Sequence, residues 1–148
     1  MQDQSRNEDS RKLLSFQVGG QEFCIDVMAV REIRGWTQTT ALAHAPSYVC
    51  GVINLRGAVL PVIDLAERLG LEPSVPDAQH VIIVVQIGRN IVGMVVGAVC
   101  DILDVTERAI QPTPDAAATD GETFVQGLLT EGETMISLIS VDQLLPAA

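Results

Sequence analysis

Asn54 and Arg56 lie in the stretch Gly51-Val-Ile-Asn-Leu-Arg-Gly57, which runs on through Ala-Val-Leu-Pro-Val-Ile-Asp-Leu65. A guanidinium at the rim of apolar surface is a common anchor for a protein partner, and it also suits a carboxylate ligand. The plain structural reading of the same residues is a hairpin tip with a local salt bridge. A second candidate surface holds Val30 and Ile33 beside the charged pair Glu32 and Arg34, with Val27 assigned to the core. The remaining carboxylates are scattered: Asp26, Asp64, Glu67, Asp101, Asp104 and Glu107. Asp101 and Asp104 have the spacing to share a cation, but two solvated side chains are the simpler reading. No nucleophile–base pair, phosphate-binding glycine loop or HExxH pattern is present, so no catalytic residue is assigned. His44 and His80 are isolated, which excludes a histidine metal site, and no cofactor is expected. Cys24, Cys50 and Cys100 sit singly among apolar neighbours, and each is read as a small buried hydrophobe in a reducing cytosol.

Composition limits the partners. The chain has 148 residues, 47% of them hydrophobic, and a formal charge of -10. That charge repels phosphate backbones and anionic membrane surfaces, so neither nucleic acid nor a lipid surface is expected. No apolar run reaches the ~20 residues of a spanning helix. The polar N-terminus lacks the pattern of a secretory signal. Aromatic residues supply only 3%, so the core must be aliphatic.

The elements that position these residues are short strands. Residues 1–12 read as a disordered tail. Leu14, Phe16 and Val18 alternate with polar residues, Gly19-Gly20 turns the chain, and Phe23, Ile25 and Val27 alternate again. A helical turn is expected over Met28–Ile33, ending at Gly35. Val52–Leu55 and Ala58–Ile63 form a hairpin bent at Arg56-Gly57. Pro61 inside it implies an edge strand or a bulge. Asp64 is the expected N-cap of a helix Leu65–Leu69 stopped by Gly70. Val81–Ile87 is a strand buried on both faces, Ile91–Val96 returns beside it, and Pro112–Gly121 is a soft stretch. Phe124–Leu129 and Met135–Ile139 form a last hairpin, and Ser140 caps a short helix through Leu145.

The order repeats. Phe16–Arg34 lies over Val85–Leu103, so that Val30 meets Val99, Glu32 meets Asp101 and Ile33 meets Ile102. Gly51 meets Gly127. The second copy bends through Gly132 without Asn-Leu-Arg, so Asn54 and Arg56 serve use rather than architecture. About five short strands per half favour small closed barrels, which remove exposed edges. The expected fold is mainly β: two packed five-stranded barrels with short helices, near 13–72 and 80–145, with an apolar groove between them. Whether strands cross between the barrels stays open. Trp36 follows Gly35 in a polar stretch, either as a lid on the first barrel or as a group available to a partner.

Three segments taken together resemble one family. They are Gly20-Gln-Glu-Phe-Cys-Ile-Asp-Val with Val30-Arg-Glu-Ile-Arg-Gly35, Gly51-Val-Ile-Asn-Leu-Arg-Gly with Pro61-Val-Ile-Asp-Leu65, and Val92-Gly-Met-Val-Val with Val99-Cys-Asp-Ile-Leu103. In this order and spacing they resemble the CheW family of chemotaxis coupling proteins, from about Leu13 to Leu145. The resemblance implies two SH3-like barrels across residues 13–148 and no catalysis. It implies a cytoplasmic scaffold at membrane receptor arrays, bridging the cytoplasmic tip of methyl-accepting chemoreceptors to the regulatory domain of the histidine kinase CheA. On that basis the receptor contact falls on Val30, Glu32, Asn54, Leu55, Arg56 and Gly57, with Gly93, Val99 and Ile102 lining the groove. The kinase contact is placed on Trp36, Thr39 and Leu42. Two other readings stand beside it: a small-ligand sensor gripping a carboxylate with Asn54 and Arg56, and an adaptor of a related pathway such as twitching motility.

Overall fold

The computed structural model describes residues 10–112 and 124–144. Its elements are β1 (Ser10–Val18), β2 (Gln21–Asp26), β3 (Val30–Gly35), β4 (Val49–Leu55), β5 (Ala58–Asp64), α1 (Leu65–Arg68), β6 (Val81–Ile87), β7 (Asn90–Val96), β8 (Ala98–Thr106), β9 (Val125–Glu131) and β10 (Thr134–Ile139). They form two five-stranded sheets, ordered β8-β1-β2-β10-β9 and β3-β6-β7-β5-β4.

The sheets cut across the expected halves. Hairpin β1–β2 gives its following strand, β3, to the other sheet, where it pairs with β6. Hairpin β6–β7 gives β8 back to β1. The late hairpins complete the figure through parallel pairs, β10 with β2 and β5 with β7. A division near residues 72–80 therefore separates sequence copies but not barrels, because one sheet takes β3 to β7 and the other takes β1, β2 and β8 to β10.

Burial explains the exchange. In β1, Leu14, Phe16 and Val18 face one apolar cluster, while Leu13 faces another. In β6, Ile83, Val85 and Ile87 join the first cluster and Ile82 and Val84 a third. The first cluster lies between the sheets; the other two fill the barrel interiors. Strands β1, β2, β6 and β7 are thus buried on both faces, which is why Val81–Ile87 reads as an unbroken apolar run.

Each sheet closes in the same way. After β3 the chain turns back and Thr40 exchanges two backbone hydrogen bonds with Val52 of β4 (2.9 and 2.8 Å). After β8, Gln111 does the same with Leu128 of β9 (2.9 and 2.8 Å). Gly51 and Gly127 stand at these crossings. A Cβ on Gly51 would collide with the Thr40 carbonyl, and one on Gly127 would lie 2.9 Å from the Gln111 oxygen. Their match in the repeat thus reflects a backbone approach that only glycine permits.

Several local expectations change. Ser10, Arg11 and Lys12 are not tail but the start of β1. Ser10 and Lys12 bond Asp104 of β8, and Arg11 pairs with Asp26 and Glu107. The segment Met28–Ile33 is not helical: a single 3-10 turn, Val27–Ala29, capped by Asp26, leads into β3. Val30 and Ile33 are β-branched and find ladder partners on β6, which favours the strand. Pro61 lies in an inner strand without a bulge. Val52 opposite spends its N–H and C=O on Thr40, and pairing with β7 starts only at Val62, so Pro61 owes no ladder bond. Cys100 is exposed rather than buried, because it is the extra residue of a bulge between Val99 and Asp101. Burial pushes the Cys24 thiol up to about 12 and the Cys50 thiol to about 11. Ser140 makes no side-chain cap to the 3-10 turn Val141–Gln143; its N–H donates to Phe124 instead. The helix α1 ends at Arg68, with Asp64 accepting from Ala66 N and from Ser74 N. Residues 1–9 and most of the soft stretch after Pro112 lie outside the described residues.

Arg68 ties the barrels at the far side. Its guanidinium lies 4.7 Å from the ring centres of both Tyr48 and Phe124, and its Nε donates to the Leu144 carbonyl. The closure glycines give a direct check of this architecture. Gly51→Ala and Gly127→Ala should each lower stability by about 3 kcal/mol in urea unfolding, the upper range for forced overpacking.

Candidate functional site

The two candidate surfaces meet at the open end of the second barrel. The β4–β5 turn has two central residues, Arg56 and Gly57, both with positive φ (52° and 88°). That is the turn whose twist suits a hairpin, and it favours Asn-Gly or Gly-Gly. Asn54 supports it by accepting from Gly57 N at 2.9 Å. An arginine in the left-handed region costs on the order of 1 kcal/mol. The equivalent hairpin bends at Gly132 (φ 62°) and Glu133. Counted from its flanking pairs, Gly132 matches Arg56 rather than Gly57. One copy thus fills the strained position with glycine and the other with arginine.

Arg56 reaches back to the other end of the sheet. Its Nη2 donates to Glu32 Oε1 (2.5 Å), while Arg34 Nη1 donates to Glu32 Oε2 (3.3 Å). Glu32 sits on β3 and Arg56 on the β4–β5 turn, the two outer strands of the sheet, so this ion triad spans the barrel seam. The hydrogen bond from Arg56 is the main cause that lowers the Glu32 pKa; desolvation opposes it. A bulge between Val30 and Glu32 sets this geometry. It adds Arg31 as an extra residue and turns Glu32 and Arg34 toward the barrel mouth, opposite Val84 and Ile82.

The remaining predicted residues separate. Leu55 is buried in the barrel interior beneath the turn. Val99 and Ile102 on β8 pair with Phe16 and Leu14, and Val30 on β3 pairs with Val85. Cross-strand partners share a face, so all three stand at the rim of the inter-barrel core. Ile102 is 55% exposed there, and its repeat mate Ile33 46%. Gly93 does not belong with them. It is enclosed in the second barrel, where a Cβ would lie 2.9 Å from Ile82 Cγ2. Its role is to let β5 and β6 pack closely around β7. The space between the barrels is filled by the largest apolar cluster, so the expected groove survives only as rims.

Trp36 packs half-buried against the second barrel's interior, and its backbone N–H donates to the His80 carbonyl. Thr39 Oγ1 donates to the Cys50 carbonyl beside the seam (3.2 Å). Leu42 is exposed on the same connection. Trp36 therefore covers the second barrel rather than the first, and Thr39 and Leu42 mark a separate surface along β4. Asp104 is bound to Ser10 and Lys12, and among the described residues no group of three His, Cys, Asp or Glu side chains is placed to hold a metal.

Missed by the sequence reading is a cleft of about 920 Å³ beside the triad, lined by Arg31, Arg56 and Arg89 over a floor of Leu55, Leu60 and Val92. The signal was weak: Arg89 sits in the turn Gly88-Arg89-Asn90, and nothing in its local pattern ties it to Arg56.

Two strand-exchanged barrels with filled interiors, and with cationic and apolar side chains gathered at the rims, define a scaffold that works by holding proteins. Comparison with known proteins agrees. Residues 12–148 match the family model described as the CheW-like domain. The probable chemotaxis protein CheW of Rhizobium etli is 54% identical over 95% of this chain and 90% of its own length. The chemotaxis protein CheW of Rhizobium meliloti is 53% identical over 93% and 88%. A crystal structure of the scaffolding protein TtCheW from Thermoanaerobacter tengcongensis superposes with a TM-score of 0.83 at 30% identity, covering 90% of this chain and 91% of that one. The chain belongs to the CheW family of chemotaxis coupling scaffolds, and among the described residues no helix is long and apolar enough to cross a membrane.

The triad has a pH signature. Lowering the Glu32 pKa stabilises the fold at pH above the ordinary glutamate value of about 4.3, and this contribution is lost as pH falls through the lowered value. Carboxyl-detected NMR titration should find Glu32 below ordinary glutamates. In Arg56→Ala its pKa should rise, since the largest lowering contact is gone.

Proposed function

We propose that this chain bridges the cytoplasmic tip of methyl-accepting chemoreceptors to the regulatory domain of the histidine kinase CheA, without catalysis of its own. On this reading it works in the cytoplasm and is recruited to membrane receptor arrays. The observation that carries the receptor assignment is Arg56 in a strained left-handed turn where the sister hairpin uses Gly132. A residue kept against its backbone preference, with 72% of its side chain exposed, is better explained by a partner than by the barrel.

The receptor helices lay an apolar face against the rims at Val30, Val99 and Ile102. Arg56, held in place by Glu32 and by the turn that Asn54 and Gly57 fix, gives a charge-assisted bond that sets register. Leu55 supports that turn from below. Kinase contact is assigned to the surface along β4 that carries Thr39 and Leu42, backed by Trp36. It lies on the connection that closes the second barrel, so both partners address the same rigid unit. Signal passes only if the receptor's state changes how these contacts are made, because a scaffold with equal affinity for both states transmits nothing.

Reconstituted arrays test this. Arg56→Ala should weaken capture by a receptor tip fragment by about 2 kcal/mol, the lower range for an anchor residue. Receptor-dependent kinase activity should fall with it, while the thermal melting point changes little. Undiminished capture and activation by that variant would remove Arg56 from the contact.

A further inference from the structure

The cleft between β3, the β4–β5 turn and the β6–β7 turn carries a charge opposite to that of the chain. The protein has nine basic and nineteen acidic residues, yet this cleft is lined by three arginines and a single carboxylate, Glu32. Glu32 is already engaged by Arg56 and Arg34. Arg31 and Arg89 are exposed and make no ion pair with any described residue. Arg31 reaches the cleft because the β3 bulge adds it beside Glu32. The sister bulge on β8 carries Cys100, so the bulge belongs to the architecture while the arginine does not. Arg89 is delivered by the tight β6–β7 turn, with Gly88 supplying the positive φ (60°). Below the three guanidinium groups the floor is apolar, and Val59 stands 67% exposed at the lip.

We propose that this cleft takes an acidic helix end of the receptor tip, an apolar side chain resting on the floor and a carboxylate drawn in by Arg31 and Arg89. The inference rests on the receptor reading above and adds two specificity residues, Arg31 and Arg89, that the family resemblance does not assign to the receptor contact. Charge complementarity selects the occupant: a basic or neutral helix end would leave two solvated guanidinium groups unmatched, and an acidic one meets them both. Arg31 and Arg89 sit at the rim, so they act mainly on encounter and discrimination, as rim charges do. Arg56, fixed in its turn and pinned to Glu32, acts on residence.

The test uses the full chain and a soluble receptor tip fragment from the same genome, followed by surface-based kinetics at low and high salt. Arg31→Glu and Arg89→Glu should each slow association about 10-fold at low salt and flatten its salt dependence, with dissociation nearly unchanged. Arg108→Glu, on the exposed turn after β8, should leave binding as it is. A receptor fragment whose tip carboxylates are replaced by amides should no longer distinguish wild type from the variants. Circular dichroism and melting confirm that the variants fold. Wild type binding with both variants unaffected would overturn this inference and leave the receptor reading intact. No binding by wild type would sink the receptor reading itself. Loss of kinase binding in place of receptor binding would assign the cleft to the other partner and also overturn it.

Discussion

Strands that bury both faces need two covers, and this requirement shapes the whole molecule. The hairpins β1–β2 and β6–β7 each turn one face into a barrel and the other toward the partner hairpin. Phe16 and Ile25 of one barrel and Ile63, Ile83, Val85 and Met94 of the other are buried in the one cluster that the two barrels share. Each such side chain returned to water costs about 2 kcal/mol, so neither barrel is a stable body alone. Two short crossings add a covalent argument to the apolar one. The chain passes between the sheets through Val27–Ala29, after β2, and through Gly97, after β7, so little slack separates the barrels.

That constraint decides where a site can be built. The interiors and the inter-barrel space are full, so function is left to seams and rims. The second barrel's seam joins β3, the strand after the first copy's leading hairpin, to the β4–β5 turn. The Glu32–Arg56 contact is therefore a meeting of the two edges of one sheet, brought together by closure. On the opposite side Arg68 lies against Tyr48, before β4, and Phe124, before β9, one ring from each barrel. Anything that grips the seam thus grips a unit whose two halves are held in one orientation.

Much of this was legible in the sequence, and the failures have a common cause. Periodicity reports which face of a strand is covered but not what covers it. The strands, the both-face burial of Val81–Ile87 and the repeat were all readable. The passage of β3 to β5 away from the sheet of β1 and β2, and of β8 to β10 away from that of β6 and β7, was not, since an exchanged strand and a home strand carry the same alternation. Val99 and Ile102 stand at the same inter-barrel rim as Val30, as their alignment in the repeat with Val30 and Ile33 allows. Gly93 was misplaced because a glycine looks alike whether it opens a groove or lets two strands pack tightly, as Ile82 at 2.9 Å shows it does. Cys100 looked buried because its neighbours are apolar, and only the bulge turns it outward. Arg89 was invisible for a different reason: the cleft it shares with Arg31 exists only after two turns and the β3 bulge converge.

The repeat also supplies an internal comparison that one structure rarely offers. A two-residue bend closes the corresponding hairpin of each copy, with a positive φ at its first position in both, although only the Arg56-Gly57 bend has one at its second position as well. With Gly132 at the left-handed position it is relaxed; with Arg56 it is strained. The barrel fold therefore does not require the arginine, and the Glu32 contact is an exposed pair of a kind that adds little stability. Glycine at position 56 would ease the backbone and lose only that modest attraction. A chain that retains the arginine accepts a less stable hairpin, the trade expected where a side chain is committed to something outside the fold. The bulges extend the comparison, since the same backbone device presents Cys100 on one barrel and Arg31 on the other. Both departures from symmetry add positive charge, and both do so at the mouth of the second barrel. On the receptor reading proposed above, these two asymmetries fall on one face, and the backbone that both copies share asks for neither arginine.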